Sequence, residues 1–89
     1  MKESEWEVYI IEAQSGTLYT GITNDLERRF EAHMNGAKGA RFFRISSPKS
    51  IVFRESQPNR SLASQRESQI KKMTRAQKLQ LILKKDPNA

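Results

Sequence analysis

A tyrosine, an arginine and a histidine lie close together in the segment from residues 18 to 33. Arg29 and His33 fall within a predicted helix, where a spacing of four residues places them on one face, one turn apart. Tyr19 and Gly21 lie at the end of the strand that precedes this helix. Side chains of these types at one junction would suit the binding of an anion. The alternative is that Arg29 is a solvated side chain and His33 a boundary histidine at the edge of the core.

Two further residues could join this chemistry. Tyr9 lies on the strand before that of Tyr19, and cross-strand pairing would bring the two phenols close, although ordinary aromatic packing is the alternative. A free phenol titrates near about pH 10, so a tyrosine that takes up a proton at neutral pH needs help from a cation. Glu67 lies at the edge of the apolar stripe of a later helix. Such a glutamate in a basic protein is either a salt-bridge partner or a ligand for a hard cation such as Mg²⁺.

The strands that would position these residues are predicted from runs of β-branched and aromatic side chains. Residues 6–12 and 17–23 form a hairpin, and residues 50–55 form a third strand. The run from Val8 to Ile11 is apolar on both faces, which is typical of a central strand covered on each side.

Capping residues indicate where the helices begin. Asn24, with Glu27 three residues later, predicts a capping box that opens the first helix, and Asn35-Gly36 predicts its end. A second helix is predicted from about residue 60 to 73, and Thr74 with Gln77 predicts the cap of a third. Apolar residues expected to face inward are Leu26, Phe30 and Met34 in the first helix, Leu62, Ala63, Ile70 and Met73 in the second, and Ala76, Leu79, Ile82 and Leu83 in the third. The fold class is therefore α/β, more narrowly α+β, a three-stranded antiparallel sheet with flanking helices in the order ββαβαα.

Length and composition limit the classes of protein that this chain can be. Eighty-nine residues predict a single domain over residues 1–89, with its core at about 6–83 and a short C-terminal tail. Cysteine is absent, which excludes disulfides and thiolate metal sites and fits a cytoplasmic location. The acidic N-terminal segment lacks an apolar run, so we expect no signal peptide, and we expect no membrane association.

The positive charge of the chain is unevenly distributed. The formal net charge is +6, and residues 38–49 and 71–85 carry basic side chains and no acidic ones. Such segregation favours a polyanionic partner, since each neutralised phosphate releases counterions. The alternative is a set of ordinary solvated helix faces. The candidate nucleic-acid contacts are Lys38, Arg41, Arg44, Lys71, Lys72, Arg75 and Lys78.

Several familiar sites are missing from the sequence. No glycine-rich phosphate loop is present, so we expect no nucleotide cofactor. A single histidine and no cysteine leave no mononuclear zinc site of the usual kind. Phe42 and Phe43 beside basic residues would also suit an RNA-binding regulator that stacks bases on exposed aromatics.

Four motifs in sequence resemble those of the GIY-YIG nuclease superfamily, in particular its small stand-alone bacterial branch. The first is Glu7-Val8-Tyr9 and the second is Tyr19-Thr20-Gly21. The third is the helix signature from Asp25 to His33, and the fourth is Glu67 within residues 64–71. Glu7 stands where the family's first motif has glycine.

The resemblance implies a divalent-metal-dependent DNA endonuclease or nickase that hydrolyses phosphodiester bonds, with a role in DNA repair or recombination. Glu67 would hold Mg²⁺ or Mn²⁺, and Tyr9 and Tyr19 would lie over the attacking water. Arg29 would stabilise charge on the scissile phosphate, and His33 would hold a phenol or move a proton. The expected nucleic-acid partner is DNA, with a protein partner that supplies specificity. The alternative is a weakly active or non-catalytic nucleic-acid-binding accessory module that keeps the fold.

Overall fold

The computed structural model describes residues 5–35 and 47–85, apart from the side chains of His33, Asn35 and Lys85. Its elements follow the predicted order ββαβαα, so the predicted fold class is confirmed. They are β1 (Trp6–Ala13), β2 (Leu18–Thr23), α1 (Leu26–Asn35), β3 (Pro48–Gln57), α2 (Arg60–Lys71) and α3 (Arg75–Lys85). Within the described ranges, no helix is long and apolar enough to cross a membrane.

The three strands form one antiparallel sheet with β1 in the centre, in the order β2-β1-β3. Val8, Tyr9, Ile10 and Ile11 are all buried, which confirms that the central strand is covered on both faces. β3 is longer than predicted at both ends, because its pairing with β1 runs from Trp6 to Ala13. The register is irregular between Ile10 and Ile11 and between Glu12 and Ala13. The added pairs bring Pro48 into the sheet opposite Ala13.

Alternation along β1 divides the interior into two clusters, one on each face of the sheet. On the first face, α2 and α3 pack over the sheet, and the buried residues are Val8, Ile10, Phe53, Ala63 and Ile70. On the second face, α1 packs over the sheet, and the buried residues are Tyr9, Ile11, Ala13 and Leu26. Both candidate tyrosines belong to the second face, because Tyr19 packs against that cluster.

The cap of α1 is Asp25, so the prediction of Asn24 as the capping residue was wrong by one position. The Asp25 carboxylate accepts the Arg28 N–H at 3.3 Å, and the Asp25 carbonyl accepts the Arg29 N–H at 3.0 Å. The Asp25 N–H in turn donates to the Thr23 hydroxyl at 3.1 Å, which ties the helix start to the end of β2. The first turn of α1 is therefore fixed to the strand that carries Tyr19.

The other two caps involve side-chain hydrogen bonds at Asn59 and Thr74. Asn59 accepts the Leu62 N–H at 2.9 Å and begins α2. The predicted box between Thr74 and Gln77 is confirmed, since each side chain accepts the backbone N–H of the other at 3.2 and 2.9 Å. A tight connection of three residues therefore joins α2 to α3.

Part of the predicted inward set was wrong. Leu79 and Leu83 are 41% and 54% exposed. In α3, Ile82 packs against the core as predicted, together with Leu81, which was not predicted. Apolar residues cover so much of the α3 circumference that periodicity alone does not fix which side faces the sheet. The other predicted inward residues that are exposed are Met34, Leu62 and Ala76.

Candidate functional site

The Tyr9 phenol lies across the backbone of Gly21. These two residues are Cα partners in the pairing of β1 with β2. A Cβ atom added to Gly21 would lie 2.5 Å from the Tyr9 hydroxyl oxygen and 2.7 Å from Cζ. Glycine is therefore required here for space, because any larger residue would displace the tip of the ring. The phenol consequently extends from the central strand to the edge strand β2.

Tyr19 lies beside Tyr9 on the same face of the sheet. The two ring centroids are 6.3 Å apart and the rings are inclined at 42°, a tilted packing geometry that aromatic pairs favour. Tyr9 is only 1% exposed, whereas Tyr19 is partly buried. The predicted proximity of the two phenols is confirmed, and it coincides with ordinary cross-strand aromatic packing.

The electrostatic surroundings of Tyr9 connect it to three other candidate residues. Burial is the main reason that the pKa of Tyr9 lies above its ordinary value, and Tyr19 and the carboxylate of Glu67 raise it further. The positive charge of Arg29 acts in the opposite direction and lowers the pKa of Tyr9. Tyr19 from β2, Arg29 from α1 and Glu67 from α2 therefore all act electrostatically on one phenol.

Arg29 reaches this site from the first turns of α1. Leu26, three residues earlier, is fully buried in the cluster beneath the helix, while Arg29 is exposed. Positions three apart are neighbours on a helix surface, so Arg29 lies at the edge of the buried stripe, as its spacing predicted. An exposed guanidinium beside a buried phenol can contact a phosphate without itself leaving water completely.

Glu67 comes from α2, which packs near the edge strand. Its side chain is 20% exposed, and its carboxylate lies 3.1 Å from the ammonium of Lys71, one turn further along the helix. The salt-bridge interpretation of Glu67 is thus confirmed, but it does not exclude a metal. Surface pairs of this spacing contribute only about 0.3–0.5 kcal/mol, so a divalent cation could displace Lys71 at small cost.

The donor set around Glu67 suits one class of metal. In the described part of the chain, no group of three or more histidine, cysteine, aspartate or glutamate side chains could enclose an ion. Mg²⁺ commonly binds through one or two carboxylates while waters and substrate phosphates complete its shell. A single carboxylate therefore fits Mg²⁺ or Mn²⁺ held jointly with a phosphate, and does not fit a closed tetrahedral site.

Several predicted residues cannot be placed at the site. The backbone of His33 belongs to α1, but its side chain is outside the described part of the chain, so its role stays a prediction. Lys38, Arg41 and Arg44 also lie outside the described residues. Phe42 and Phe43 fall in the same range.

Of the predicted nucleic-acid contacts, those within the described residues lie at or near the junction of α2 and α3. Lys71, Lys72 and Arg75 are exposed, and Lys78 is partly buried. Next to them, the exposed side of α2 forms an open groove of about 750 Å³. Its lining residues are Arg60, Ser61, Ser64, Gln65 and Ser68. The groove adjoins the site, because Ser64 lies three residues before Glu67 and is therefore its neighbour on the helix surface.

Sequence reasoning named Gly21 without its steric role, and it missed Arg54. The steric need for Gly21 depends on strand register, although an isolated glycine in a strand does signal a close backbone approach. Arg54 of β3 was not singled out, yet it makes ion pairs with both Glu7 and Glu27. Opposite charges on strands that pair would have been its signal.

Comparisons with known proteins agree with the motifs. A family model described as the GIY-YIG catalytic domain matches residues 5–80. A UPF0213 protein of Photorhabdus laumondii is 43% identical over 83 residues, which cover 93% of this chain and 79% of the relative. A UPF0213 protein of Clostridium perfringens is 49% identical over 78 residues, with coverage of 88% and 83%. The solution NMR structure of a UPF0213 protein from Bacillus halodurans is 36% identical and superposes with a TM-score of 0.60, covering 94% of this chain and 89% of that one.

Proposed function

The chain belongs to the GIY-YIG family, and on that premise we propose that it is a divalent-metal-dependent DNA endonuclease or nickase that acts in repair or recombination. One observation carries the proposal: the buried phenol of Tyr9 lies over Gly21 and beside the Tyr19 ring, and the charges of Arg29 and Glu67 both act on its pKa. Perturbed titratable groups of this kind concentrate at functional sites. A buried phenol, a cation and a carboxylate are the groups that phosphodiester hydrolysis would use.

Arg29 is the proposed phosphate ligand. Hydrolysis builds negative charge on the phosphate oxygens, and a cation already held in place stabilises that charge without reorganising. The fork of the guanidinium also fits two phosphate oxygens at once. Arg29 is exposed on α1 and near Tyr9, so a phosphate that it binds would lie above the tyrosine pair.

The two tyrosines are proposed to have different roles. Burial raises the pKa of Tyr9, so its phenol keeps its proton at neutral pH and acts as a hydrogen-bond donor. A donor at this point can orient the attacking water or a phosphate oxygen. Tyr19 is less buried, and its ring centroid lies 6.3 Å from that of Tyr9. We therefore propose that the Tyr19 phenol assists in removing the proton of the attacking water. His33, one turn beyond Arg29, is proposed to assist in the same transfer.

Glu67 is the proposed ligand for Mg²⁺ or Mn²⁺. When bound, the cation would supply Lewis-acid charge at the scissile phosphate and the leaving oxygen. Glu67 would hold it from α2, while the guanidinium of Arg29 comes from α1. Lys71, released from its ion pair with Glu67, would then be available to a phosphate of the same strand.

The DNA backbone is proposed to follow the groove on α2. Arg60 lies at one end of this face, with its guanidinium 5.6 Å from the centre of the Trp6 ring, and Lys72 lies beyond the other end. Between them, Ser64 and Ser68 can donate hydroxyl hydrogen bonds to phosphates, which position nucleic acid without reading its sequence. Contacts of this type would give weak sequence specificity, so a protein partner is proposed to direct the cut.

The proposal is tested by nicking of supercoiled plasmid and branched DNA in the presence of Mg²⁺ or Mn²⁺. Two neighbouring arginines provide a matched pair, because Arg28 and Arg29 are both exposed on α1 but only Arg29 affects Tyr9. Arg29→Gln should abolish metal-dependent nicking, whereas Arg28→Gln should leave it unchanged. DNA binding by the parent without any nicking would instead favour the accessory-module alternative, and equal nicking by both variants would contradict the role of Arg29.

A further inference from the structure

Two neighbouring residues of β3, Arg54 and Glu55, each hold one of the helices that carry the candidate site. Adjacent residues of a strand point to opposite faces of the sheet. Arg54 contacts Glu27 of α1 on one face, and Glu55 contacts Arg66 of α2 on the other. Two adjacent positions of β3 therefore connect the sheet to both site-bearing helices.

Arg54 is fixed on the side of the sheet where α1 packs. Its Nε and Nη2 donate to the two carboxylate oxygens of Glu7, each at 2.9 Å, in the paired geometry that orients a guanidinium most strictly. Its remaining Nη1 donates to Glu27 at 3.2 Å. Glu27 belongs to the first turn of α1 and lies two residues before Arg29. Glu27 is 75% exposed, so its contact is a solvent-exposed link between α1 and a guanidinium that Glu7 already holds.

Glu55 makes the corresponding contact on the opposite face. Its carboxylate accepts Arg66 Nε at 2.8 Å and Gln57 Nε2 at 3.2 Å. Arg66 also donates to Gln69 at 3.1 Å, so its side chain is held along α2. The side chains of Arg66 and Glu55 are each only about a quarter exposed, which reduces the screening of this ion pair by salt. Arg66 immediately precedes Glu67.

We propose that Arg54 and Glu55 are positioning residues that set the separation of Arg29 and Glu67 across the sheet. The inference rests on the proposed function, since it concerns how the residues of that site are aligned. Neither β3 residue is expected to touch the reacting atoms, because Tyr9 extends towards β2 and β1 lies between β2 and β3.

Small displacements are expected to matter more for the reaction than for folding. Ion pairs near a surface contribute little to the free energy of unfolding. A misplacement of about 1 Å in a catalytic group can nevertheless lower a rate by about a hundredfold. Loss of either contact should therefore reduce single-turnover nicking at saturating DNA by at least about tenfold, while the DNA dissociation constant stays within about twofold.

The test compares Arg54→Gln with Glu55→Gln, with Lys49→Gln as a control because Lys49 is exposed on the same strand. Besides nicking and DNA binding, NMR follows the side-chain Nε–H of Arg29 and the carboxyl carbon of Glu67 in the metal-free protein. Arg54→Gln should shift the Arg29 resonance and leave that of Glu67 in place. Glu55→Gln should do the reverse, and the control should shift neither.

Equal shifts of the Arg29 and Glu67 resonances in both variants would indicate a general loosening of the structure and would overturn the proposal. Nicking at the parental rate in both variants would overturn it too. If the parent lacks nicking activity but the selective shifts are observed, the positioning of Arg29 and Glu67 is supported and only the proposed function fails.

A second pair of variants covers the case in which a substitution on β3 prevents folding. Glu27→Gln removes the α1 end of one contact, and Arg66→Gln removes the α2 end of the other. Each should reduce nicking as its β3 counterpart does. Arg54→Lys, which keeps the charge but loses the fork, should recover only part of the rate. Full activity in the Glu27 and Arg66 variants would overturn the proposal.

Discussion

The tip of the Tyr9 side chain lies so close to Gly21 that a Cβ atom at Gly21 would be only 2.5 Å from the Tyr9 hydroxyl oxygen. This arrangement places the phenol of a central strand over the edge strand, where side chains from α1 and α2 can approach it. Gly21 thus determines where the candidate site lies, although it contributes no functional group.

Gly21→Ala should displace the Tyr9 ring and abolish activity. Overpacking at this position should also lower the free energy of unfolding by about 1–3 kcal/mol. Gly16→Ala is the matched control: a φ of 91° makes alanine unfavourable there by about 1–2 kcal/mol, but no atom lies within 4 Å of the added carbon. Nicking assays and urea unfolding separate the two effects. Equal activity in both alanine variants would show that the Tyr9–Gly21 approach is dispensable.

Replacement of Tyr9 by phenylalanine should make stability less sensitive to alkaline pH. Burial raises the pKa of Tyr9 in the folded state, so above about pH 10 the unfolded chain loses a proton that the folded chain retains. The parent should therefore lose up to about 1.4 kcal/mol of stability per pH unit from this group as the pH rises, with no such loss below about pH 10. Tyr9→Phe should lack this component, and Tyr19→Phe should keep most of it, because burial is its main cause. Urea unfolding between pH 8 and about 11 measures the difference, and identical profiles for the parent and Tyr9→Phe would refute it.

Asp25→Ala should destabilise the protein because it removes the acceptor that caps α1. Loss of a capping side chain costs about 0.5–2 kcal/mol. Asn24→Ala, at the exposed neighbouring position, should change stability by less than about 0.5 kcal/mol. Thermal unfolding of the two variants checks the assignment of the cap. A larger loss of stability in the Asn24 variant would show that Asn24 is the capping residue, as predicted from the sequence.

Element order was predictable because each element carries its own local signal. The doubly apolar run in β1 indicates a central strand, and the Thr74 and Gln77 box marks the start of α3. The cap of α1 was misplaced because Asn24 and Asp25 are both good capping residues. Only the hydrogen bonds to the following N–H groups distinguish them.

The site itself needed long-range information. A shift of one residue in the pairing of β1 with β2 would place Tyr9 opposite a residue other than Gly21 and remove the close approach. The nearness of Glu67 to Tyr9 also depends on how α2 packs, which no local pattern encodes. The resemblance to the family motifs identified these residues as a group, but it gave no information about their geometry.

The most direct test of the account compares Glu67→Gln with Glu31→Gln in Mg²⁺-dependent nicking of plasmid DNA. Both changes remove one negative charge from a helix and keep the side-chain shape, and Glu31 is exposed on α1. Glu67→Gln should lower the nicking rate by at least about a hundredfold while DNA binding is retained. Glu31→Gln should nick at the parental rate. Nicking by Glu67→Gln at the parental rate would contradict the proposal that this carboxylate is essential to a metal-dependent nuclease.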